Sequence, residues 1–263
     1  MVGGMGVSNN SYYQTYVNTG EGQVVILLHG IFGNVHIWKP VVEALRNSYR
    51  VIVPRIPLSD LPLEDANVRH IAHVLHEFIE HHALKNVVLV GHAVGGQLAL
   101  MYTHLYPANV RKLVLVGSAG LMERNPLADP EALNFQILQD EFEHAYFFKG
   151  YSSDKIAEEL CEVAGDESKQ AALGKIAESS KLFQVSAFLN KIDHPVLLVW
   201  GLHDPVSPPE SALHFNDLLS NSEIKFIENC GHVPMLEKPD QFVNHLLAFL
   251  KPASGSAWHS EKH

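Results

Sequence analysis

The chain has 263 residues, 19 Lys and Arg against 29 Asp and Glu, and a formal net charge of −10. This acidic balance argues against nucleic acid and anionic membrane surfaces as partners, and the length suits one large domain with a sizeable core. The two cysteines, Cys161 and Cys230, form no C-x-x-C pair, which excludes a disulfide framework and a thiolate zinc site. We expect no cofactor and no metal.

Export and membrane signals are not expected from the pattern of the chain. Residues 1–7 contain no Lys or Arg and no long apolar run, unlike a secretory signal. The uncharged stretch 86–105 contains three glycines, a glutamine and two histidines, unlike a transmembrane helix. The sequence therefore predicts a cytoplasmic protein with no transmembrane segment. A mature form whose secretory signal has already been removed would show the same pattern.

Short apolar runs alternate with helical patterns along most of the chain. The predicted strands are 23–28, 49–54, 86–90, 111–116, 195–200 and 223–227, and the predicted helices between them are 41–45, 68–82, 95–106, 209–219 and 239–250. Runs that are apolar throughout are typical of parallel strands buried on both faces. The pattern predicts an α/β fold with a mostly parallel central sheet flanked by helices, and residues 11–17 are a candidate for an antiparallel edge strand.

One interval breaks this alternation. The interval between the predicted strand ending near Gly117 and the predicted strand starting at Pro195 is far longer than a crossover connection needs. Helical patterns at 131–148, 153–164 and 168–181, with a short piece at 185–189, fill it. We predict a helical cap, 121–194, inserted into a core formed by 1–120 and 195–251, and placed over the carboxyl ends of the strands. The tail 252–263 has a linker-like composition, and an artificial and a natural origin both fit it.

The segment GHAVGG, residues 91–96, carries most of the chemical information. It follows a predicted strand and opens a predicted helix, as in a nucleophile elbow G-x-S-x-G, where a sharp turn lifts one side chain above the sheet. The nucleophile position is Ala93. A methyl group cannot attack a carbonyl carbon, so nucleophilic catalysis at this position is unavailable to the chain as it stands.

At this segment the chain resembles the α/β-hydrolase fold family, in its cap-bearing esterase-like branch, over residues 11–251. Three more motifs carry the resemblance: HGIFG at 29–33, GLHDPV at 201–206 and CGHVPMLEKP at 230–239. The resemblance implies an oxyanion hole made by the backbone N–H groups of Ile31 and Val94, with Asp204 as the acid and His232 as the base. The predicted substrate-binding residues are Phe32, His92, Ser118, Val206 and Val233.

Some of these residues also have a simpler interpretation, and His92 is alternatively a packing residue that bonds the backbone. Asp204 is alternatively a turn residue before Pro205, and His232 a histidine of a surface loop. The histidines His70, His73, His76, His81 and His82 fall in one predicted helix. Their spacing is compatible with a metal site, but we favour a solvated helix face. Cap aromatic residues are candidates for an acyl pocket and, equally, for the core of the cap: Phe135, Phe142, Tyr146, Phe147 and Phe148.

Three functions remain open from the sequence. The first is a serine hydrolase of small carboxylic esters, inactivated here by an engineered Ser-to-Ala change at position 93. The second is a natively non-hydrolytic protein that binds a small ligand, and the third is a lyase or cofactor-free enzyme that uses His232 and the oxyanion hole for acid–base chemistry. We favour the first, because a strained elbow has no purpose beneath a methyl group. Residues 54–60 lack the Asp-x-x-Gly-x-Gly pattern of many relatives, which leaves the substrate open, and a monomer and a homodimer both fit.

Overall fold

A central eight-stranded sheet organises the computed structural model, which describes residues 5–6, 16–31, 35–121, 140, 143–147, 158 and 161–251. The strands are β1 (Met5–Gly6), β2 (Tyr16–Thr19), β3 (Val24–Leu28), β4 (Arg50–Pro54), β5 (Val87–His92), β6 (Val110–Val116), β7 (Val196–Gly201) and β8 (Ser222–Ile227). Their order is β1-β2-β4-β3-β5-β6-β7-β8. Six neighbouring strands pair in parallel: β4, β3, β5, β6, β7 and β8. The predicted α/β fold with a mostly parallel sheet is confirmed.

The two strands nearest the amino terminus are antiparallel to their neighbours. β2 runs antiparallel to β4, and β1 adds outside it with Met5 opposite Val17. The antiparallel strand expected at 11–17 is thus found at Tyr16–Thr19, while 11–15 lie outside the described residues. It is not the edge, because β1 covers it.

Helices cover both faces of the sheet, which explains why every residue of β3, β5 and β7 is buried. They are α1 (Lys39–Leu45), α2 (Val68–His81), α3 (Val94–Leu105), α4 (Glu167–Leu182), α5 (Pro209–Leu218), α6 (Pro234–Glu237) and α7 (Pro239–Leu250). Local chemistry sets several of their starts. Asn67 Oδ1 accepts the His70 N–H at the start of α2 at 2.8 Å, and α1, α5, α6 and α7 begin with a proline in the first turn.

The order of the strands brings distant loops to one edge. β3 lies beside β5, with Leu28 opposite Gly91, so the loop that follows β3 meets the turn that follows β5. β6, β7 and β8 continue the sheet on the other side of β5. Because parallel strands end at the same edge, the loops after all six parallel strands gather there.

The stretch assigned to the cap is partly described. The predicted helix 168–181 is α4, and the piece at 185–189 forms the 3-10 turns Val185–Ala187 and Leu189–Lys191. Most of 131–148 and 153–164, and all of 252–263, lie outside the described residues. The Gln97 side chain, in α3, donates to the carbonyls of Ser180 and Phe183 at 3.0 and 2.9 Å. These bonds fix the carboxyl end of α4 to the helix that begins at the elbow.

Within the described part of the chain, no helix is both long and apolar enough to cross a membrane.

Candidate active site

Ala93 occupies the sharp turn between β5 and α3. Its backbone has φ 51° and ψ −119°, a conformation that L-residues adopt only at a cost on the order of 1–3 kcal/mol. Two backbone hydrogen bonds hold the turn. The Ala93 N–H donates to the Val116 carbonyl at 3.0 Å, and the Ala93 carbonyl accepts the Ala119 N–H at 3.1 Å. A methyl group on Gly91 would lie 2.3 Å from the Gly95 carbonyl oxygen, so only glycine allows this turn. The backbone therefore holds the side chain at position 93 in a fixed orientation.

Asp204 and His232 form a buried pair beside the elbow. His232 Nδ1 lies 2.8 Å from Asp204 Oδ2, and the two side chains are 8% and 1% exposed. The other oxygen, Oδ1, accepts the N–H groups of Val206 at 2.9 Å and Ser207 at 2.8 Å. The carboxylate is thus held on both sides, which fixes the imidazole tautomer with its proton on Nδ1 and leaves Nε2 for a reacting group.

His92 connects the elbow to the His232 loop. Burial lowers the pKa of His92 well below its ordinary value of 6.5, and a charge on His232 lowers it further. The neutral ring donates its Nε2 proton to the His232 carbonyl at 2.9 Å. The His92 and His232 rings lie 4.6 Å apart between centroids. His92 Nδ1 is buried and has no partner among the described residues. The predicted substrate-binding residue therefore also carries a structural bond.

The predicted oxyanion loop is oriented by His29. Its Nε2 accepts the Ile56 N–H at 2.9 Å, so Nδ1 carries the proton and donates to the Gly30 carbonyl at 2.9 Å. Burial lowers the pKa of His29 to about 4, which keeps the ring neutral. The Gly30 carbonyl and the Ile31 N–H belong to one trans peptide unit, in which the C=O and N–H bonds point in opposite directions. Because the Gly30 carbonyl points at His29 Nδ1, the Ile31 N–H points away from His29.

Val94 carries the second of the two predicted oxyanion-binding N–H groups, and Gly30 brings the loop after β3 close to the elbow. Val94 is the first residue of α3, where N–H groups have no acceptor within the helix. A methyl group on Gly30 would lie 2.9 Å from Ala93 Cβ, so the loop after β3 touches the elbow. The two backbone N–H groups predicted to bind an oxyanion thus come from segments in contact around position 93.

The remaining predicted substrate-binding residues differ in their placement. Phe32 lies outside the described residues. The Ser118 hydroxyl donates to the Ala119 carbonyl at 3.0 Å and lies against Gly96, so it packs beneath the start of α3. The backbone N–H groups of Val206 and Val233 are both committed to carboxylates, those of Asp204 and Glu237.

Glu237 lies in the motif at 230–239, and the sequence alone indicates no role for it. Its buried carboxylate accepts the N–H groups of Gly231 and Val233, on either side of His232, and that of Phe147. The only signal in the sequence was an acidic residue between Pro234 and Pro239, five positions after His232.

Metal ligation finds no support in the described part of the chain, where no group of three or more His, Cys, Asp or Glu side chains is arranged to hold an ion. On the histidine-rich helix α2, His73 Nδ1 lies 2.7 Å from the Tyr106 hydroxyl and His76 stacks on the Tyr106 ring. Cys230 is a buried free thiol whose pKa is raised by burial, which makes it a poor nucleophile.

Comparison with known proteins gives consistent matches. The model of the alpha/beta hydrolase family matches residues 25–245. The chain is 32% identical over 254 residues to the 2-hydroxy-6-oxo-6-(2'-aminophenyl)hexa-2,4-dienoic acid hydrolase of Metapseudomonas resinovorans, covering 89% of this chain and 86% of that protein. It is 24% identical over 266 residues to the monoacylglycerol lipase ABHD6 of Homo sapiens, covering 88% and 76% respectively.

A solved structure matches over a similar span. MGS-MChE2, an alpha/beta hydrolase enzyme from a metagenome of lagoon sediments at Mar Chica, Morocco, aligns with a TM-score of 0.74 and 29% identity. The alignment covers 92% of this chain and 94% of that one. The family match from 25 to 245 includes the elbow and the loops that carry Ile31, Asp204 and His232.

Proposed function

The chain belongs to the alpha/beta hydrolase family, and we propose that its active form is a serine hydrolase of uncharged carboxylic esters. In this proposal the active form has a serine at position 93, and the alanine present here removes the nucleophile while leaving the rest of the site in place. Asp204 and His232 complete the triad, and the N–H groups of Ile31 and Val94 form the oxyanion hole.

The strained backbone of Ala93 carries this proposal. Its φ of 51° and ψ of −119° cost stability on the order of 1–3 kcal/mol, and a methyl group gains nothing from them. A serine hydroxyl would gain a fixed position above the sheet, next to the His232 loop. One substitution in an otherwise intact site explains both the strain and the preserved Asp204–His232 pair.

The proposed reaction follows from this arrangement. The serine oxygen attacks the ester carbonyl carbon while His232 Nε2 takes the hydroxyl proton, and the two backbone N–H groups bind the oxyanion. Collapse of the tetrahedral intermediate breaks the bond to the alcohol, which leaves with the proton from His232. Water then attacks the acyl-enzyme with His232 as base, and the carboxylic acid departs. In this scheme Asp204 stabilises the imidazolium in both steps.

A second candidate reaction is the hydrolysis of a carbon–carbon bond, supported by the 32% identity to a dienoic acid hydrolase. A substrate with an acid group favours a cationic side chain in the site. The described residues of the predicted substrate region contain no Lys or Arg: Ile31, His92, Val94, Ser118, Val206 and Val233. This composition ranks an uncharged ester first.

Restoring the hydroxyl tests the proposal. We expect Ala93→Ser to hydrolyse short, long or aryl esters, with a gain on the order of 10⁶ over the unmodified chain, the loss seen when a protease loses its serine. The label from an organophosphonate should appear at position 93 alone. The doubly substituted Ala93→Ser/Asp204→Asn protein is the matched control.

Other outcomes identify other functions. A folded Ala93→Ser protein that cleaves a hydroxy-oxo-dienoate and no ester would favour the carbon–carbon reaction. Inactivity on both substrate classes would contradict hydrolysis and favour a ligand-binding protein, whereas activity of the unmodified chain would favour acid–base chemistry by His232.

A further inference from the structure

Glu237 is a buried carboxylate whose oxygens are occupied by backbone N–H groups. It is 8% exposed and lies at the carboxyl end of the short helix α6. Oε1 accepts the Gly231 N–H at 3.1 Å and the Val233 N–H at 3.2 Å. These residues flank His232, so one carboxylate holds the chain immediately before and immediately after the imidazole. Charge-assisted bonds of this kind are about twice as strong as neutral ones.

The second oxygen of Glu237 reaches the stretch assigned to the cap. Oε2 accepts the Phe147 N–H at 2.8 Å. Two residues earlier, the Ala145 carbonyl accepts the His232 N–H at 2.8 Å. The segment Ala145–Phe147 is therefore bonded both to His232 and to the carboxylate that flanks it.

Gly231 makes this close approach possible. A methyl group there would lie 2.6 Å from the Ala145 carbonyl oxygen and 2.7 Å from the Phe147 nitrogen. The segment 145–147 thus lies directly on the backbone of Gly231, with no room for a side chain between them. The Glu237 carboxylate, Gly231 and the segment 145–147 form one contact, which we call the Glu237 clamp.

We propose that Glu237 is a positioning residue for the site, holding the His232 imidazole in register with Asp204 and fastening the segment Ala145–Phe147 to the His232 loop. The part that concerns catalysis rests on the proposed hydrolase function. Asp204 fixes the imidazole through its side chain. Glu237 fixes the backbone on both sides of the same residue, through the N–H groups of Gly231 and Val233, so that Nε2 keeps its distance from position 93 through both proton transfers.

The substitution Glu237→Gln tests this role with little change in size. The amide keeps one acceptor oxygen but presents an NH₂ group to backbone N–H donors, so part of the clamp opens. In the Ala93→Ser protein we expect kcat on a minimal acetate ester to fall about 100-fold, the loss that follows a misplacement near 1 Å, with KM little changed. Glu228→Gln removes the same charge from an exposed position on the same loop, and should leave kcat unchanged.

A second readout does not depend on activity. In the unmodified chain the Nδ1 proton of His232, bonded to Asp204, should give a slowly exchanging proton NMR signal, and Glu237→Gln should speed its exchange at least tenfold. A merely structural role would lower the free energy of unfolding without moving either readout. An unchanged kcat or an unchanged exchange rate in folded Glu237→Gln would each overturn the proposal. If Ala93→Ser is inactive on every substrate, the hydrolase function fails, and the NMR measurement still decides the role of Glu237.

Amide hydrogen exchange in the unmodified chain covers the case in which Glu237→Gln does not fold. The amides of Gly231, Val233 and Phe147 should be protected together, because they share one acceptor group. A Phe147 amide that exchanges at the rate of an open chain would overturn the clamp.

Discussion

Gly117 lies directly behind the imidazole of His232. A methyl group on Gly117 would be 2.9 Å from His232 Nδ1 and 3.0 Å from Asp204 Oδ2, the two atoms that the pair joins. Gly117 also has a φ of 49°, a conformation that favours glycine. The residue that follows β6 therefore lies against the Asp204–His232 bond, with no room for a side chain between them.

The contact predicts that Gly117→Ala disturbs the pair itself. In the Ala93→Ser protein, kcat should fall at least tenfold, because the added methyl must push the imidazole from the carboxylate. Gly22→Ala is the matched control. Gly22 also has a positive φ of 94°, but its methyl would have only the Ser48 carbonyl near it, at 3.6 Å. The positive φ should cost both variants about 1–2 kcal/mol of stability in urea denaturation, Gly117→Ala should lose more because of its contacts, and only Gly117→Ala should lose activity. Equal activity losses would contradict this interpretation.

The strain at the elbow predicts that Ala93→Gly stabilises the protein. Glycine adopts a φ of 51° and ψ of −119° without the steric cost that alanine meets. We expect the free energy of unfolding to rise by about 1 kcal/mol, measured by urea denaturation. Ala99→Gly, in the buried interior of α3, should instead lower it by about 1 kcal/mol or more. The opposite signs separate relief of strain from a general effect of glycine.

Asp204→Asn should stop catalysis without opening the loop. The amide oxygen can keep the bonds from the Val206 and Ser207 N–H groups, while its NH₂ faces His232 Nδ1. That nitrogen must then accept a hydrogen bond from the amide, so the imidazole proton lies on Nε2, which no longer acts as a base. In the Ala93→Ser protein we expect kcat to fall about 10⁴-fold, with thermal unfolding showing an intact fold. Retention of a third of the activity would remove Asp204 from the triad.

The stability of the protein should fall with acid because of His29. Burial lowers its pKa from 6.5 to about 4, so between these values the unfolded chain binds a proton that the folded protein does not. The contribution of His29 to the free energy of unfolding is therefore fully present above pH 6.5 and decreases as the pH is lowered. At pH 4 the decrease is about 3 kcal/mol. His92, whose pKa is also lowered by burial, adds with the same sign.

Urea denaturation across this pH range measures the effect. His29→Gln removes the titrating group, and the fall in stability between pH 6.5 and 4 should be smaller in that variant. The same pH dependence in both proteins would show that folding does not lower the pKa of His29.

The central strands and the loops of the site could be predicted from the sequence because burial leaves a simple pattern. The run 86–90 is apolar throughout, and it forms β5 with both faces covered. GHAVGG at 91–96 marks the elbow because its glycines stand where the close approach of the backbones leaves no room for a side chain, and Ala93 does have the strained backbone expected there. The strand and the elbow could be predicted because each is determined by residues that are adjacent in the sequence.

The Glu237 clamp could not be predicted, because its partners are backbone N–H groups and one of them, Phe147, is 90 positions away. An N–H group is present at every residue except proline, so no residue type marks it. The packing of Ser118 beneath α3 was hidden for a similar reason, since its partner is the neighbouring Ala119 carbonyl. β1 has only two residues, Met5 and Gly6, too few to form a recognisable pattern.

The Gly120 carbonyl accepts the Val185 N–H at 3.2 Å, so the chain leaves the core and returns to it at the same point. Residues 121–184 are therefore a connection whose two ends are held together by this hydrogen bond. The entropy lost in closing such a loop grows only with the logarithm of its length. A lineage can therefore lengthen or shorten this stretch on either side of the clamped segment 145–147 at little cost to folding, while the sheet keeps Asp204 and His232 in place.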